Sequence, residues 1–403
     1  GGAVITWGFD TTGGNSSSVS NLLRTGVVEI TTARNGAFAA LKSDGSVVTW
    51  GSSSDGGDSS CKSTELASGV EKVYANDNSF VALKTDGAVV LWGGYACANT
   101  AFDTQIALSL TDVVDIFPNL YGYAFLSSDG SVTTFSYSVV EDANCPWPDL
   151  SSGVVDVIPN RIGFAAIKSD GSVVSWGEGC YSDSTPVANE LASGVVSIHG
   201  TQTAFAALKS DGSVVTWGSS SDEEMIQLNY GGDSSAVATE LTSGVTKIVS
   251  TPTSFLALKS DGSTVLWGQH EWGSTGAGNC PTYADVSQQL TNVVDVFANY
   301  HAYGAITATG DLITWGGYWD ECEGGDSSAI TVSFSNVQTI YSNDQAFAAL
   351  MNDGTVVTWG NASNGGDSSA VSAQLTDVVE IHTSTDSGVT SMGYECDAFM
   401  AIK

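Results

Sequence analysis

The sequence is poor in positive charge. Twelve Lys and Arg residues are set against 44 Asp and Glu residues, which gives a formal net charge of −32, and the basic residues form no cluster. A field of this sign repels nucleic acid and anionic membrane surfaces. Two interpretations of the acidic excess stay open: solubility in a salty medium, where ions screen the repulsion, and binding of divalent cations. We therefore expect neither nucleic acid nor a membrane as a partner.

The chain also lacks long apolar runs and helical patterns. Its apolar runs have the length of β-strands, so we expect no transmembrane helix. It has no initiator Met and no stretch with the features of a signal peptide, and it begins inside a repeat at Gly1. This start is typical of a mature product or a fragment.

Groups of catalytic residues are missing as well. No Ser lies in a nucleophile-elbow context, and no glycine-rich phosphate loop precedes a helix. There are four His residues, and His199 and His382 occupy a strand position where other repeats carry Tyr or Phe. We predict that the protein is not an enzyme and needs no cofactor, with Ca²⁺ the one ion left open.

The chain instead contains one sequence unit that is repeated many times. A Trp-Gly step recurs every 41 to 50 residues, with Phe135 in place of Trp once; the Trp residues are at 7, 50, 92, 176, 217, 267, 315 and 359. Each unit has a β-branched run, a small-residue run such as Ala37–Leu41, then Ser-Asp-Gly and Val-Val-Thr-Trp-Gly. Two short apolar runs joined by Asp-Gly predict a β-hairpin, with the Asp as a turn residue. We predict hairpins at 37–51, 79–93, 122–136, 163–177, 204–218, 254–268, 302–316 and 346–360.

The two ends of the chain complete the pattern. Residues 398–403 read as the first half of a hairpin, and residues 1–8 read as the second half. Pairing these halves would close a ring and remove unpaired edges. The sequence therefore predicts an all-β fold: a closed β-propeller of about nine blades, with the N-terminal strand completing the C-terminal blade, in a single domain covering 1–403.

The repeat Ala-Ala-Leu-Lys-Ser-Asp-Gly-Ser-Val-Val-Thr-Trp-Gly resembles that of the regulator-of-chromosome-condensation propellers, in the short-repeat style of β-lactamase inhibitory protein II. The resemblance covers all nine units and implies a propeller, but the family serves exchange factors, ligases, inhibitors and sensors alike. Where the family usually has Gly-Gln-Leu-Gly, this chain has Gly-Gly-Asp-Ser-Ser. This form resembles repeats in proteins of marine single-celled algae. The chromatin-bound role calls for basic segments that this chain does not have.

The seven Cys residues lie outside the repeat pattern. Three times, a Cys late in one unit is followed by a Cys early in the next, with the same offset difference. On adjacent propeller blades such residues could meet. The offsets predict the disulfides Cys61–Cys97, Cys145–Cys180 and Cys280–Cys322, an oxidising compartment, and one unpaired residue, Cys396. The alternative is six free thiols in a cytosolic protein.

Two glycosylation sequons fit an extracellular or cell-surface location. They begin at Asn15 and Asn361, both in Gly/Ser loops.

Two features could be binding sites. The Gly-Gly-Asp-Ser-Ser loops (56–60, 231–235, 324–328 and 365–369) are either turns or Ca²⁺ sites, and the densest acidic group is Asp320, Glu321, Glu323 and Asp326. Trp147, Trp272 and Trp319 lie outside the Trp-Gly steps, near Cys residues, and either pack locally or bind a ligand. The Lys residues that share one repeat position (42, 84, 168, 209, 259 and 403) are expected to pair with acidic neighbours.

These observations favour a non-enzymatic, secreted or cell-surface propeller that serves as a structural or recognition module of an extracellular assembly. Its partners would be other proteins of that assembly, or glycans. Two alternatives remain: a protein-binding inhibitor, and a carbohydrate-binding lectin that uses Trp147, Trp272 and Trp319.

Overall fold

The computed structural model describes residues 2–4, 6, 15–94, 110, 112–136, 147–177, 182–218, 230–269, 280–317, 322–383 and 399–402. The chain divides into two compact units, Gly1–Ser169 and Asp170–Lys403. The regular secondary structure of the described residues is almost entirely β-strand, as the sequence predicts, and these residues contain no helix long and apolar enough to cross a bilayer.

The first unit contains eleven described strands. They are β1 (Val27–Ala33), β2 (Ala37–Lys42), β3 (Val47–Gly51), β4 (Val70–Ala75), β5 (Ser79–Lys84), β6 (Val89–Gly93), β7 (Val113–Asn119), β8 (Gly122–Ser127), β9 (Val132–Ser136), β10 (Val154–Pro159) and β11 (Gly163–Lys168). Short 3₁₀ turns lie at Ser53–Asp55, Ser60–Lys62 and Glu65–Ala67.

The second unit contains the remaining described strands and one short helix, α1 (Tyr283–Val286). The strands are β12 (Val173–Gly177), β13 (Val195–Gly200), β14 (Ala204–Lys209), β15 (Val214–Gly218), β16 (Val245–Ser250), β17 (Ser254–Lys259), β18 (Thr264–Gly268), β19 (Val293–Ala298), β20 (Ala302–Thr307), β21 (Leu312–Gly316), β22 (Val337–Ser342), β23 (Ala346–Met351), β24 (Val356–Gly360), β25 (Glu380–Thr383) and β26 (Phe399–Ile402). Its 3₁₀ turns are Thr185–Val187, Ser235–Val237, Glu240–Thr242, Cys322–Gly324, Phe334–Asn336, Ala362–Asn364 and Ser369–Gln374.

Each repeat forms a sheet whose strands follow one another in chain order. The described strands make eight three-stranded sheets and one two-stranded sheet, β25–β26. The second and third strands of the eight sheets begin and end at the residues predicted for the hairpins, so those predictions are confirmed. Of residues 1–8, only 2–4 and 6 are described. The closed ring and the nine blades therefore stay predictions.

The Asp-Gly turn explains why the hairpin is so regular. In the first repeat, Asp44 Oδ1 accepts a hydrogen bond from the Ser46 amide at 3.0 Å, and Gly45 has a φ of 76° that favours glycine. The Gly45 carbonyl accepts the amide of Val70 on the next sheet at 3.0 Å. The turn therefore closes one hairpin and also joins it to the first strand of the following repeat.

In six of the described repeats an aromatic pair stacks between the second and third strands. Phe38 and Trp50 lie opposite each other in register, and their ring centroids are 5.2 Å apart. The pairs Phe80–Trp92, Phe205–Trp217, Phe255–Trp267, Tyr303–Trp315 and Phe347–Trp359 repeat this stacked geometry. The Trp of the repeat is therefore a core residue, as the sequence indicates.

A β-bulge interrupts the first strand of all eight three-stranded sheets. In β10, Val154 pairs with Lys168 and Asp156 pairs with Ile167, which leaves Val155 without a partner in register. Because of the extra residue, the first four residues of β10 are buried, exposed, exposed and buried in turn. The second and third residues of each first strand thus face away from the core.

Candidate functional sites in the loops and on the first strands

The first Gly of each Gly-Gly-Asp-Ser-Ser loop packs on the next repeat. A Cβ at Gly56 would lie 2.5 Å from Cδ2 of Phe80, and one at Gly231 would lie 2.5 Å from Cδ2 of Phe255. The Gly56 carbonyl also accepts a hydrogen bond from Trp92 Nε1 at 3.1 Å. The loop backbone therefore covers the aromatic pair of the following sheet, and no side chain larger than hydrogen fits there.

The other four residues of the loop hold it to its own repeat. A Cβ at Gly57 would lie 2.6 Å from the carbonyl carbon of Gly51. Asp58 Oδ1 accepts the Ser60 amide at 2.9 Å, and this hydrogen bond lowers the pKa of Asp58. Ser59 bonds Thr49 through their hydroxyl groups at 2.9 Å. All five positions therefore have a local contact, which accounts for the motif as a turn.

The calcium candidate falls largely outside the described residues. Asp326 Oδ1 accepts the Ser328 amide at 2.8 Å, as in the other loops, whereas Asp320, Glu321 and the Glu323 side chain are not described. Within the described part of the chain, no three His, Cys, Asp or Glu side chains are grouped so that they could hold a metal ion. Calcium binding at Asp320–Asp326 stays a prediction.

One disulfide joins loops of successive repeats. Cys280 and Cys322 are bonded, with their Cα atoms 5.3 Å apart, and both are buried. This is the pair that the offset pattern predicts. Cys61 is also disulfide-bonded, while its predicted partner Cys97 and the predicted pair Cys145–Cys180 lie outside the described residues.

The remaining predicted loop residues are described in part. Trp147 is half-buried, and Trp272 and Trp319 lie outside the described residues. Asn15 is exposed and Asn361 is half-buried, and each accepts the amide of the residue two positions later through Oδ1. Both sequons lie in tight turns, and whether they carry glycans stays a prediction.

The Lys residues of the repeat bond the backbone of the preceding loop. In four described repeats Nζ donates to a main-chain carbonyl 19 residues earlier: Lys84 to Glu65, Lys168 to Asp149, Lys209 to Glu190 and Lys259 to Glu240. The ammonium group also acts on nearby carboxylates: the pKa values of Asp211 and Asp261 are lowered first by hydrogen bonds from Ser213 and Ser263, and to a smaller extent by the charges of Lys209 and Lys259. These Lys residues hold the loop that leads to the next sheet.

The first strands of the repeats expose two positions to solvent. The second position is an exposed Val in six repeats, with 53–64% exposure: Val28, Val114, Val155, Val196, Val294 and Val379. An acidic residue follows five of these Val residues at the third position, and Ser197 follows Val196. Lys247 Nζ lies 2.6 Å from Asp295 Oδ1, and Tyr74 donates to Asp115 Oδ1 at 2.6 Å. These two positions form what we call the bulge surface.

Near the bulge surface of the second unit, burial lowers the pKa of His199 to about 4, with Lys247 adding to the effect. A His that is neutral when folded gives stability above its ordinary pKa near 6.5, and this stability is lost as pH falls through about 4. Between pH 7 and pH 4, we expect the free energy of unfolding to fall by about 2 kcal/mol less in His199→Gln than in the native chain. Urea unfolding at several pH values measures this, and parallel curves for the two proteins would contradict it.

No protein-family profile matches the chain, and no curated protein matches it. Similar solved structures include the CRINKLY WD40 ectodomain of the Arabidopsis thaliana receptor kinase ACR4 (16% identity, TM-score 0.36, 73% of this chain and 96% of the other). Yeast RCC1 (Prp20), solved with Kap60, is similar at 16% identity and a TM-score of 0.35 over 80% of this chain and 79% of the other. Likenesses at this level assign no activity, and the closer resemblance to β-lactamase inhibitory protein II stays a prediction.

Proposed function

We propose that the protein is a non-enzymatic recognition module of an extracellular or cell-surface assembly. The observation that carries this proposal is that the packed positions of the repeat and its exposed positions are separate. The aromatic pair, the glycines, the turn Asp and the Lys are all engaged in local packing, whereas the bulge surface presents exposed Val and charged residues to solvent. Exposed apolar residues flanked by charge are typical of protein-binding surfaces.

The compartment follows from cysteine chemistry. A buried disulfide between Cys280 and Cys322 supports an oxidising environment, because cytosolic thiols are kept reduced. Cys61–Cys97 and Cys145–Cys180 complete the proposed set.

A thiol count tests that set. Alkylation of the native protein under denaturing, non-reducing conditions is expected to modify about one thiol per chain, Cys396, out of seven Cys residues. Mass spectrometry before and after reduction gives the count. Five or more reactive thiols would contradict the extracellular assignment.

We further propose that the repeats close into a nine-bladed propeller, residues 1–8 adding the third strand to β25–β26. The Gly2 carbonyl accepts the Val27 amide at 3.0 Å, as the turn Gly45 carbonyl accepts that of Val70. The N-terminal segment thus joins β1 in the way that a hairpin turn joins the following repeat. Electron-microscope images with seven or eight lobes, or an open solenoid, would contradict closure.

The recognition role is tested by isolating the protein from its native extracellular fraction. We expect it to elute with a second protein, well above the 41.5 kDa of the free chain. Elution as the free chain would argue against an assembly role. A glycan array distinguishes the lectin alternative, which requires binding that Trp147→Ala abolishes.

A further inference from the structure

The most acidic part of the bulge surface lies in the first unit, where β7 contacts β10. Val114 and Val155 are 53% and 56% exposed there. Each is followed by an aspartate, Asp115 and Asp156, at the third position of the strand. The two successive strands therefore present a pair of valines beside a pair of carboxylates, and we call these four residues the valine–aspartate patch.

Further negative charge surrounds the patch. Asp112 immediately precedes β7 and is exposed, and its carbonyl accepts the Ser128 amide at 2.9 Å. Asp129 is exposed in the next turn, whose Gly130 carbonyl accepts the Val154 amide at 2.9 Å. The turn aspartate is thus held beside the start of β10.

One cation lies beside the patch: Lys72 Nζ is 4.5 Å from the centroid of the Tyr74 ring, and the Tyr74 hydroxyl donates to Asp115 Oδ1 at 2.6 Å. The Lys that ends the second strand of other repeats is absent from β8 or bonded to backbone next to the patch. Where β2, β5 and β11 end in Lys, β8 ends in Ser127. Lys168, opposite Val154 in register, directs its Nζ to the Asp149 carbonyl at 2.8 Å. Burial, and then the charge of Asp115, raises the pKa of Asp156. The carboxylates of the patch therefore repel each other, and a cation placed between them would relieve that repulsion.

We propose that the valine–aspartate patch docks a basic segment of a partner protein, one in which aliphatic side chains alternate with Lys or Arg. This inference rests on the proposed recognition function and names its partner chemistry. The aliphatic side chains of the segment cover Val114 and Val155, and its cations lie against Asp115 and Asp156. A second copy of this chain is the wrong occupant, because it carries the same negative field, −32 per chain.

The second unit offers a matched control. Val294 has the same repeat position and 57% exposure, and an aspartate, Asp295, also follows it. Asp295 already has a cation, Lys247, at 2.6 Å, and the turn of its sheet carries Thr309 where other repeats have Asp. Val294 therefore matches the patch in apolar exposure, but the aspartate beside it is already in an ion pair with Lys247.

The test uses the full chain and a ten-residue peptide with three Lys and three Val residues spaced by Ser and Gly. Fluorescence anisotropy in 150 mM salt is expected to detect binding that both Val114→Ser/Val155→Ser and Asp115→Asn/Asp156→Asn weaken at least tenfold. Val294→Ser is expected to change Kd less than twofold. The Asn substitutions keep the Oδ1 acceptors that bond the Ile116 and Val157 amides, so these local contacts remain.

Two outcomes would overturn the proposal. One is the absence of peptide binding up to 1 mM. The other is equal binding by all variants, which would mean a diffuse attraction by net charge. Peptides with Lys→Glu or Val→Ser must bind at least tenfold more weakly. If the native chain elutes in a complex but the patch variants bind the peptide like the native chain, the recognition role stands and this surface is not its site.

Discussion

Phe255→Ala is expected to destabilise the second unit by about 3–5 kcal/mol. The Phe255 side chain is fully buried and stacks on Trp267 with ring centroids 5.2 Å apart, while the Gly231 backbone covers its other edge. Removing the ring leaves a cavity between two repeats that a glycine loop cannot fill. Thermal unfolding followed by tryptophan fluorescence measures the loss as a lower midpoint.

An exposed Val of the same unit provides the control. Val196 is 57% exposed on the bulge surface, so Val196→Ala should change the free energy of unfolding by less than about 0.5 kcal/mol. A loss below 1 kcal/mol for Phe255→Ala would mean that the aromatic pair is not the unit of stability.

The hairpins could be predicted from sequence because their determinants are local. Asp44, Gly45 and Ser46 specify the turn within three residues, and the apolar runs on either side specify the strands. Their bounds agree with the structure in all eight three-stranded sheets. The bulge could not be read in this way, since an extra residue in a strand is visible only in the pairing register.

The role of the glycine loops could not be predicted from the sequence, because it depends on contacts between repeats. Gly56 is constrained by Phe80, 24 residues later, and periodicity alone does not reveal that contact. A signal was nevertheless present in the sequence. The residue before Trp is Thr in repeats followed by Gly-Gly-Asp-Ser-Ser, as at Thr49, and is Leu91 or Leu266 in two repeats without the motif. The Thr–Ser hydrogen bond explains this pairing.

A second pairing of residues links successive sheets. Tyr replaces the stacked Phe at Tyr123 and Tyr303, and in both cases the preceding sheet has Ser at the start of its second strand. Tyr123 donates to the Ser79 carbonyl at 2.8 Å, and the Tyr303 and Ser254 hydroxyl groups are 2.9 Å apart. The buried phenol is thus satisfied, which is why the two substitutions occur together.

Gly231→Ala is expected to cost about 2–5 kcal/mol, and its interaction with Phe255 should be measurable. The backbone contributes about 1–2 kcal/mol because Gly231 has a φ of 99°. The contact with the ring contributes about 1–3 kcal/mol, because the new Cβ would lie 2.5 Å from Phe255 Cδ2. Gly244→Ala is the matched control: its φ is 80°, but the nearest atom is the flexible Lys259 Cε at 3.4 Å.

The double variants separate these two contributions. In the Phe255→Ala background the ring is gone, so Gly231→Ala should cost only its backbone share, about 1–2 kcal/mol, as Gly244→Ala does in either background. The coupling free energy of Gly231 and Phe255 would then be about 1–3 kcal/mol, against less than about 0.5 kcal/mol for Gly244 and Phe255. Additive effects at both glycines would mean that the loop does not pack on the ring. The expected coupling would establish that the Gly-Gly-Asp-Ser-Ser loop binds one repeat to the next, which leaves the bulge surface to carry recognition.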